Sequence, residues 1–433
     1  MRIVFLTPGT GSYYCGACMR DNALARELHR SGHDVTIVPM YLPLILDDTA
    51  LEGLGNAGVF FGGINVFLQQ KLALFRKAPA LVNRWLNATS LLRWAARHSH
   101  MTSSRDHGEM TLDMLNVGTS GFRQEWEKLL VWLEQGKKPD LCCLSNALLA
   151  GLAPELKERL GAPVVAFFQG EDSFLDGLPE PYRSQSWSAM AQRLVASDAL
   201  IAPSRFYADF MRARLGAVAE KVVVMFNGIQ LDDFAPAAAP PSTPAIGYLA
   251  RLSREKGLEQ LVDAFLILAG ELGDATTRLK IAGAATAGDQ PLIKRLQRRI
   301  ADAGLAARVD WSPNLTREQK IAFLRSLTLF SVPATYAEAF GLYLIEAMAC
   351  GVPVVQPESA AFPELIAATG GGVCVAPRDP AALARGWQRL LADPGKCAAL
   401  GRAGRLGVEQ RFTAAKMAGQ FLQVAEPLVR ATA

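Results

Sequence analysis

Two glutamates, eight residues apart, flank a glycine in the C-terminal third of the chain. Glu338 precedes Gly341, and Glu346 follows it inside a stretch that predicts a helix from about Gly341 to Ala349, stopped by Gly351 and followed by a strand. The first turn of such a helix presents backbone N–H groups and a positive dipole end, which together bind an anion. Because carboxylates repel a bound phosphate, both glutamates are suited to hydroxyl groups on either side of it. The layout fits a diphosphate with a sugar at one end and a ribose at the other. The alternative is an amphipathic helix with two surface glutamates.

Cationic side chains that suit the same ligand occur in the segment 246–258, which contains Arg251 and Lys256. Arginine offers a two-pronged donor and lysine a point charge, a combination suited to two adjacent phosphates. Together with the helix N-terminus they would neutralise the negative charge that builds on a departing diphosphate, so no metal is required. The alternative is a solvent-exposed charged loop.

These segments together resemble one enzyme family. The stretch from Glu338 to Glu346 closely resembles the Glu-x7-Glu signature of the retaining family 4 glycosyltransferases, which have the GT-B fold. The segment around Arg251 and Lys256 resembles the family's Gly-Arg-Leu…Lys-Gly segment. Two further stretches resemble the family's first helix with its second strand, and the segment that closes its N-terminal domain: residues 24–35 and 226–229. The order and spacing of all four fit, so the resemblance covers most of the chain.

The resemblance implies a role for each residue of the proposed site. Glu338 would hold hydroxyls of the donor sugar, Glu346 the ribose diol, and Arg251 with Lys256 the diphosphate. Transfer would proceed by same-face attack, with the leaving phosphate accepting the proton of the acceptor, so Glu338 is not assigned as a nucleophile. The catalytic residues are then expected to be Glu338, Arg251 and Lys256. The expected donor-binding residues are Gly16, Gln169, Arg251, Lys256, Glu338, Phe340, Gly341, Leu342 and Glu346.

Two of these positions depart from the family pattern. With Gly32 aligned, the family's paired glycines fall on Cys15 and Gly16, and only Gly16 matches. Gln169 stands where many relatives carry a histidine that faces the donor sugar. The donor is expected to be a UDP- or GDP-sugar, and the acceptor an unidentified saccharide, lipid or small molecule.

Other functions remain open at this point. Cys15 and Cys18 form a CxxC motif at a strand–helix junction, which is typical of a redox pair. A non-catalytic nucleotide-sugar-binding protein is a second alternative. The glycine-rich loop at 9–11 lacks the third glycine of a dinucleotide site. His98 and His100 have no cysteine or carboxylate set to complete a metal site, so neither a metal nor another cofactor is expected.

Composition narrows the class of protein. The chain has 433 residues, half of them hydrophobic, which suits two globular domains. The net charge of +4 gives no reason to expect nucleic acid. The first apolar run ends at Pro8, too short for a secretory signal, and no apolar run reaches the length of a membrane span. Seven cysteines do not form an evident disulfide framework. We therefore expect a cytoplasmic protein.

One segment has an unusual charge pattern. No acidic residue occurs between Glu52 and Asp106, and aromatic residues are interleaved with basic ones. The basic residues are Lys71, Arg76, Lys77, Arg84, Arg93, Arg97 and Arg105. Such a pattern in 67–105 suits an anionic membrane surface, reached peripherally, or an anionic acceptor. The alternative is a solvated helical insertion near the acceptor cleft.

Short apolar runs alternate with helical patterns, which predicts a doubly wound α/β architecture. Examples of the predicted strands are Ile3–Leu6, Val35–Pro39, Val164–Phe168, Leu200–Ala202, Ala245–Leu249, Leu279–Ala282, Leu329–Val332 and Val354–Gln356. A proline-rich linker divides the chain, which predicts two Rossmann-like domains across a cleft, and the resemblance implies that together they form the GT-B fold. The expected divisions are an acceptor-side domain 1–235, a linker 236–244 and a donor-side domain 245–413. The resemblance implies that a last helix, about 414–429, packs back on the first domain.

Overall fold

The computed structural model describes residues 1–8, 16–40, 104–118, 120, 122–136 and 138–432. Cys15, His98, His100, the glycine-rich loop at 9–11 and the basic segment 67–105, apart from the backbone of its last two residues, lie outside the described residues. The chain divides into two compact units. The first unit comprises Met1–Pro203, Ala208–Phe226 and Met417–Ala433, and the second comprises Ser204–Tyr207 and Asn227–Lys416. The main division thus falls between residues 226 and 227, ahead of the proline-rich stretch.

The first unit is built on a parallel sheet. Among its described residues, six strands lie in the order β2-β1-β3-β4-β5-β6. The strands are β1 Arg2–Thr7, β2 Asp34–Pro39, β3 Leu141–Leu144, β4 Val164–Phe167, β5 Ala199–Ala202 and β6 Val222–Val224. Ile3 pairs with Val35 on one side and with Leu141 on the other, which makes β1 a central strand. These strands are nearly all apolar because helices cover both faces of the sheet.

The second unit is also built on a parallel sheet, but the order of its strands is different. Its described residues form a six-stranded parallel sheet in the order β12-β11-β10-β7-β8-β9. The strands are β7 Ala245–Leu249, β8 Arg278–Gly283, β9 Val309–Pro313, β10 Leu329–Phe330, β11 Val354–Pro357 and β12 Gly372–Val375. The strand order reverses between β7 and β10, which makes this pair of strands a topological switch point. Ligands of doubly wound sheets bind at such a switch point.

Helices connect the strands in both units. Within the described residues the α-helices are α1 Gly16–Arg30, α2 Ser104–Leu115, α3 Arg123–Gln135, α4 Ala153–Leu160, α5 Glu171–Leu175, α6 Tyr182–Leu194, α7 Arg205–Leu215, α8 Leu258–Ala269, α9 Gln290–Asp302, α10 Arg317–Arg325, α11 Leu342–Ala349, α12 Phe362–Thr369, α13 Pro380–Leu391, α14 Pro394–Arg411 and α15 Ala414–Thr432. Short 3₁₀ turns occur at Ala147–Leu152, Gly216–Lys221, Ala287–Asp289 and Ala306–Arg308. None of the helices in this part of the chain combines the length and apolarity needed to cross a bilayer.

Each unit has its own core. In the first, the ring of Phe421 on α15 lies 6.1 Å from the ring centroids of both Phe5 and Phe167. In the second, the buried indole of Trp387 donates a hydrogen bond to Ser331 Oγ at 2.8 Å. Rings buried in this way contribute most of the hydrophobic stabilisation of such a core.

The expectation of a doubly wound α/β fold is confirmed. The helix expected from about residue 341 is α11, and the strand after it, β11, begins at Val354. Strand β10 is shorter than the predicted Leu329–Val332, because its backbone pairing ends at Phe330. The last helix extends to Thr432, three residues beyond the expected end, since apolar periodicity alone does not fix a helix terminus.

Candidate functional site

The loops that follow β7 and β10 lie at the switch point of the second sheet, and hydrogen bonds tie these loops together. The carbonyl of Glu255 accepts hydrogen bonds from the backbone N–H of Thr335 at 2.9 Å and from its hydroxyl at 3.2 Å. Gly257 has φ +75°, and a Cβ there would lie 1.8 Å from the carbonyl oxygen of Pro333. The glycine therefore permits a close approach that a larger residue would prevent.

This approach brings together what we call the Glu338 cluster, consisting of Glu338, Lys256, Tyr336 and Tyr343. One carboxylate oxygen, Oε2 of Glu338, accepts hydrogen bonds from Lys256 Nζ at 2.5 Å, from Tyr343 OH at 2.7 Å and from Tyr336 OH at 2.8 Å. Lys256 also donates to the hydroxyl of Tyr336. Its ammonium lies 4.9 Å and 5.4 Å from the ring centroids of Tyr336 and Tyr343, a cation–π distance.

The protonation of the cluster follows from its surroundings. Burial raises the pKa of Glu338, but the Lys256 ammonium and the hydrogen bonds from Lys256, Tyr343 and Tyr336 outweigh it, and the pKa falls below its ordinary 4.5. Burial, followed by the charge of Glu338, raises the pKa of Tyr343 well above its ordinary value of 10. At neutral pH the cluster therefore holds an ionised carboxylate and a protonated phenol.

Helix α11 begins beside this cluster. Gly341 precedes its first residue with φ +95°, and a Cβ there would lie only 3.1 Å from Leu344 Cδ1 and 3.2 Å from Phe362 Cε1. Among the described residues no side chain caps this N-terminus, and its first turn contains no acid. Tyr343 belongs to that first turn, so the positive end of the helix lies next to Glu338.

Two further predicted residues surround this helix start. Phe340 is buried, and its ring meets Phe412 edge-on at 6.0 Å, so its side chain belongs to the core. Leu342 is the first residue of α11 and is half-buried. Any part that Phe340 and Leu342 take in anion binding thus falls to their backbone.

Arg251 lies upstream in the same loop as Lys256 and is the most accessible of the predicted site residues in this unit. Its side chain is 59% exposed, and its contact with Asp289 Oδ1 is long, at 3.4 Å. Its carbonyl accepts a hydrogen bond from Tyr248 OH at 2.8 Å, which holds the backbone of the loop against the sheet. The guanidinium is therefore accessible to a ligand while its backbone is fixed.

Glu346 is placed differently from Glu338. It lies in the interior of α11, and its Oε1 accepts a hydrogen bond from Lys320 Nζ at 3.0 Å, with both side chains buried. Glu338 is 13% exposed and Glu346 6% exposed, so the alternative of two surface glutamates is wrong.

Gly16 and Gln169 belong to the first unit. Gly16 is the exposed first residue of α1. Gln169 follows β4, and its backbone N–H donates to both carboxylate oxygens of Glu171, at 3.0 and 2.9 Å. Its side-chain Nε2 is buried and has no hydrogen-bond partner among the residues that the structure describes.

The residues of the other hypotheses are only partly described. Cys18 is buried on α1, with its Sγ 3.5 Å from Thr7 Oγ1. Among the residues that the structure describes, no three histidine, cysteine, aspartate or glutamate side chains are grouped to hold a metal ion.

Sequence reasoning missed three residues that contact the two glutamates. Tyr336 and Tyr343 lie two residues before and five residues after Glu338, and Lys320 reaches Glu346 from α10. The two tyrosines could have been predicted as partners of Glu338, because they lie so near it in the sequence and carry hydroxyl groups that can donate to a carboxylate. Nothing in the sequence points to Lys320, which is 26 residues away from its partner.

Comparison with known proteins gives two adjoining family matches. Residues 230–407 match the family described as glycosyl transferases group 1, and residues 19–228 match the glycosyl transferase 4-like domain. The two regions meet where the structure divides the chain near residue 227.

Curated relatives are moderately similar. The chain is 30% identical over 248 residues to a D-inositol 3-phosphate glycosyltransferase of Xylanimonas cellulosilytica, covering 54% of this chain and 58% of the relative. It is 32% identical over 168 residues to a GDP-mannose-dependent alpha-(1-6)-phosphatidylinositol monomannoside mannosyltransferase of Mycolicibacterium smegmatis, covering 37% and 42%. The chain thus spans about half to three-fifths of the length of the first relatives it matches.

Solved structures share the whole architecture. Sucrose-phosphate synthase of Thermosynechococcus elongatus superposes with a TM-score of 0.75 at 19% identity, covering all of both chains. Anabaena Alr3699/HepE in complex with UDP-glucose superposes with a TM-score of 0.66 at 18% identity, covering 99% of this chain and all of the other. At such identities the likeness shows the fold alone, and that fold is GT-B, as the sequence predicts.

Proposed function

Because the chain belongs to the group 1 glycosyl transferases, we propose that it moves a sugar from a nucleoside-diphosphate sugar to an acceptor hydroxyl. The transfer retains the anomeric configuration and needs no metal. The observation that carries the proposal is the Glu338 cluster beside the N-terminus of α11. An ionised carboxylate, a lysine ammonium and a helix start without a side-chain cap lie together at the switch point of the second sheet.

The diphosphate is assigned to the cations and the helix. The exposed guanidinium of Arg251 and the ammonium of Lys256 would bind its oxygens, with the N–H groups after Gly341 supplying further donors. As the bond to the sugar breaks, negative charge collects on the diphosphate, and these groups stabilise it there. This stabilisation is the reason that a metal is not required.

The two glutamates are assigned to the ends of the donor. Glu338 would accept hydrogen bonds from hydroxyls of the sugar. Glu346 would receive the ribose diol through Oε2, since its Oε1 bonds Lys320. Gly16 and Gln169, which belong to the first unit, remain proposed donor-binding residues on the strength of the resemblance.

Retention is proposed without an enzymatic nucleophile. The acceptor oxygen attacks the anomeric carbon on the face from which the diphosphate leaves, the carbon–oxygen bond to the diphosphate breaks, and a phosphate oxygen takes the acceptor proton. Oε2 of Glu338 already accepts three hydrogen bonds, which lowers its nucleophilicity. Glu338 is therefore assigned to binding.

The substrates are proposed by class. The Anabaena neighbour was solved with UDP-glucose, and the name of the Mycolicibacterium smegmatis relative specifies GDP-mannose, so UDP- and GDP-hexoses are the donors to try. Several relatives are named for inositol 3-phosphate. A saccharide, lipid or small-molecule acceptor that carries hydroxyls and a phosphate agrees with the basic segment 67–105.

A panel of nucleotide sugars screened by thermal shift tests the donor, because a ligand bound only by the native state raises its stability.

Turnover with inositol phosphates and lipid acceptors, with and without EDTA, tests transfer and metal independence. The anomeric configuration of the product, read by NMR, tests retention. Binding without turnover on any acceptor would favour the alternative of a non-catalytic nucleotide-sugar-binding protein. Loss of activity in EDTA with recovery in Mn²⁺, or an inverted product, would refute the corresponding claim.

A further inference from the structure

We propose that Tyr336 and Tyr343 are positioning residues that fix the Glu338 carboxylate through Oε2 and so present Oε1 to a hydroxyl of a neutral hexosyl donor. The inference rests on the proposed function and names the chemistry of its donor sugar. Its basis is the unequal use of the two carboxylate oxygens. Oε2 accepts hydrogen bonds from Lys256 and both tyrosines, whereas none of the described residues donates to Oε1.

The hydroxyl of Tyr343 is held in place by the packing of its ring. Tyr343 lies in the first turn of α11, and its ring packs against Phe330 at 6.2 Å and edge-on against Phe362 at 6.5 Å. Tyr336 lies in the loop after β10, so the two hydroxyls reach Oε2 from different elements. Rotation of the carboxylate would break hydrogen bonds to both rings at once. Two phenol donors from separate elements therefore orient Glu338 more firmly than Lys256 alone, because a lysine side chain is flexible.

The orientation dictates what can face the carboxylate. Oε1 of an ionised glutamate can only accept a hydrogen bond, so a ligand atom beside it must be a donor. A sugar hydroxyl meets this requirement, whereas the carboxylate of a hexuronic acid brings a second acceptor and a like charge into a largely buried site. The donor class that fits is a neutral hexose with a hydroxyl at this position.

Calorimetric affinities for matched ligand pairs test the inference. The pairs are UDP-glucose with UDP, and GDP-mannose with GDP, and UDP-glucuronate serves as the charged comparator. The wild type should bind one neutral nucleotide sugar more tightly than its bare nucleotide, and should bind UDP-glucuronate no more tightly than UDP. Tyr343→Phe and Tyr336→Phe should each reduce the advantage of the sugar about tenfold, the size of one charge-assisted hydrogen bond. Affinity for the bare nucleotide should stay within about twofold in Tyr343→Phe, because the hydroxyl that this variant loses donates to Glu338 and not to the diphosphate.

A matched control is available in the other unit. Tyr182 OH donates to Glu109 Oε1 at 3.1 Å, so Tyr182→Phe removes a comparable tyrosine–carboxylate hydrogen bond that does not belong to the cluster. It should leave every affinity unchanged. Thermal unfolding of each variant, with a midpoint near that of the wild type, verifies that the ring packing persists.

The outcomes separate the two proposals. If the wild type binds no nucleotide, the proposed function fails and the inference fails with it. If nucleotides bind but the sugar adds no affinity, or both tyrosine variants keep the wild-type advantage, the inference is overturned while the proposed function stands. Binding of UDP-glucuronate as tight as that of UDP-glucose would also overturn it.

Discussion

At the scale of single residues, Lys256 has to serve two anions. In the structure its ammonium donates to Glu338 and to Tyr336, and it is assigned to the diphosphate as well. An ammonium has three protons to donate, so one remains for a phosphate oxygen after these two bonds. Arg251 also contacts a carboxylate, but its distance to Asp289 Oδ1 is long, at 3.4 Å, and its guanidinium is largely exposed.

Removing either cation should weaken nucleotide binding. Lys256→Ala and Arg251→Ala each delete a charge-assisted hydrogen bond to the diphosphate, so we expect losses of roughly ten- to a hundredfold in affinity for UDP or GDP, measured by calorimetry. Arg254→Ala is the matched control, since Arg254 lies in the same loop but its Nε bonds Glu259 at 2.7 Å. If Arg254→Ala lost as much nucleotide affinity as Arg251→Ala, the effect would come from the net charge of the loop and not from a contact of Arg251 with the diphosphate.

The lowered pKa of Glu338 gives a pH dependence with a definite sign. Because the folded pKa lies below the unfolded value near 4.5, the ionised glutamate stabilises the fold above that pH, and the contribution is lost as the pH falls through the folded pKa. Glu338→Gln should therefore be less stable than the wild type at pH 7, by about 1–3 kcal/mol. Urea unfolding between about pH 3 and 7 should show the difference shrinking below pH 4.5. A gap that widens in acid would contradict the assignment.

The residues of the candidate site were predictable from the sequence to different degrees. Lys256 and Glu338 belong to recognisable motifs, so their proximity followed from the expected fold. Tyr336 and Tyr343 were not predicted, because a tyrosine in a loop or a first helical turn is compatible with many environments. The partner of Glu346 comes from α10, and its identity depends on how two helices pack.

At the scale of elements, α11 depends on the backbone at Gly341. The sequence predicted this helix because a glycine precedes it and Gly351 follows it, and both have positive φ in the structure. What the sequence could not predict is the crowding at its start, where Leu344 and Phe362 lie close to the position of a Cβ.

Gly341→Ala should disturb both the helix start and the anion site. Alanine at φ +95° costs about 1–2 kcal/mol, and the close side chains add to that cost. Gly304→Ala is the matched control, because Gly304 has φ +73° but its Cβ position has no tertiary neighbour within 4 Å in the described part of the chain. We expect Gly304→Ala to lower the unfolding free energy alone, whereas Gly341→Ala also weakens nucleotide binding about tenfold or more. Equal nucleotide affinities in the two variants would remove the α11 N-terminus from the site.

At the scale of the whole molecule, the alternation of strands and helices was predictable, but the order of strands within each sheet was not. Apolar runs show that a strand is buried on both faces, and they do not show which strands are its neighbours. The reversal between β7 and β10 therefore appeared only in the structure. The proline-rich stretch predicts a linker at 236–244, whereas the chain passes from one compact unit to the other between residues 226 and 227. The division depends on which residues pack together, and composition indicates that packing only indirectly.

The segment 67–105 gives a prediction for the behaviour of the whole protein. It has seven basic residues, no acidic ones and interleaved aromatics, and it lies outside the described residues apart from its last two. Each basic residue near an anionic surface contributes about 1 kcal/mol, so a few acting together suffice for reversible attachment. We expect co-sedimentation with phosphatidylglycerol vesicles at low salt, little with phosphatidylcholine vesicles, and release at high salt because the attraction is screened.

A pair of charge-matched variants shows whether attachment to vesicles depends on this segment or on the net charge of the protein. One variant replaces Lys71, Arg76 and Lys77 with glutamine. The control replaces three basic residues that are exposed in the second unit, namely Lys294, Arg298 and Arg402. Each variant loses three positive charges, so an attraction that depends only on net charge would weaken equally in both. Loss of sedimentation in the first variant alone would assign attachment to the segment. Equal binding of the wild type to both lipids, or none to either, would leave the segment as a solvated insertion and favour a soluble saccharide or small-molecule acceptor.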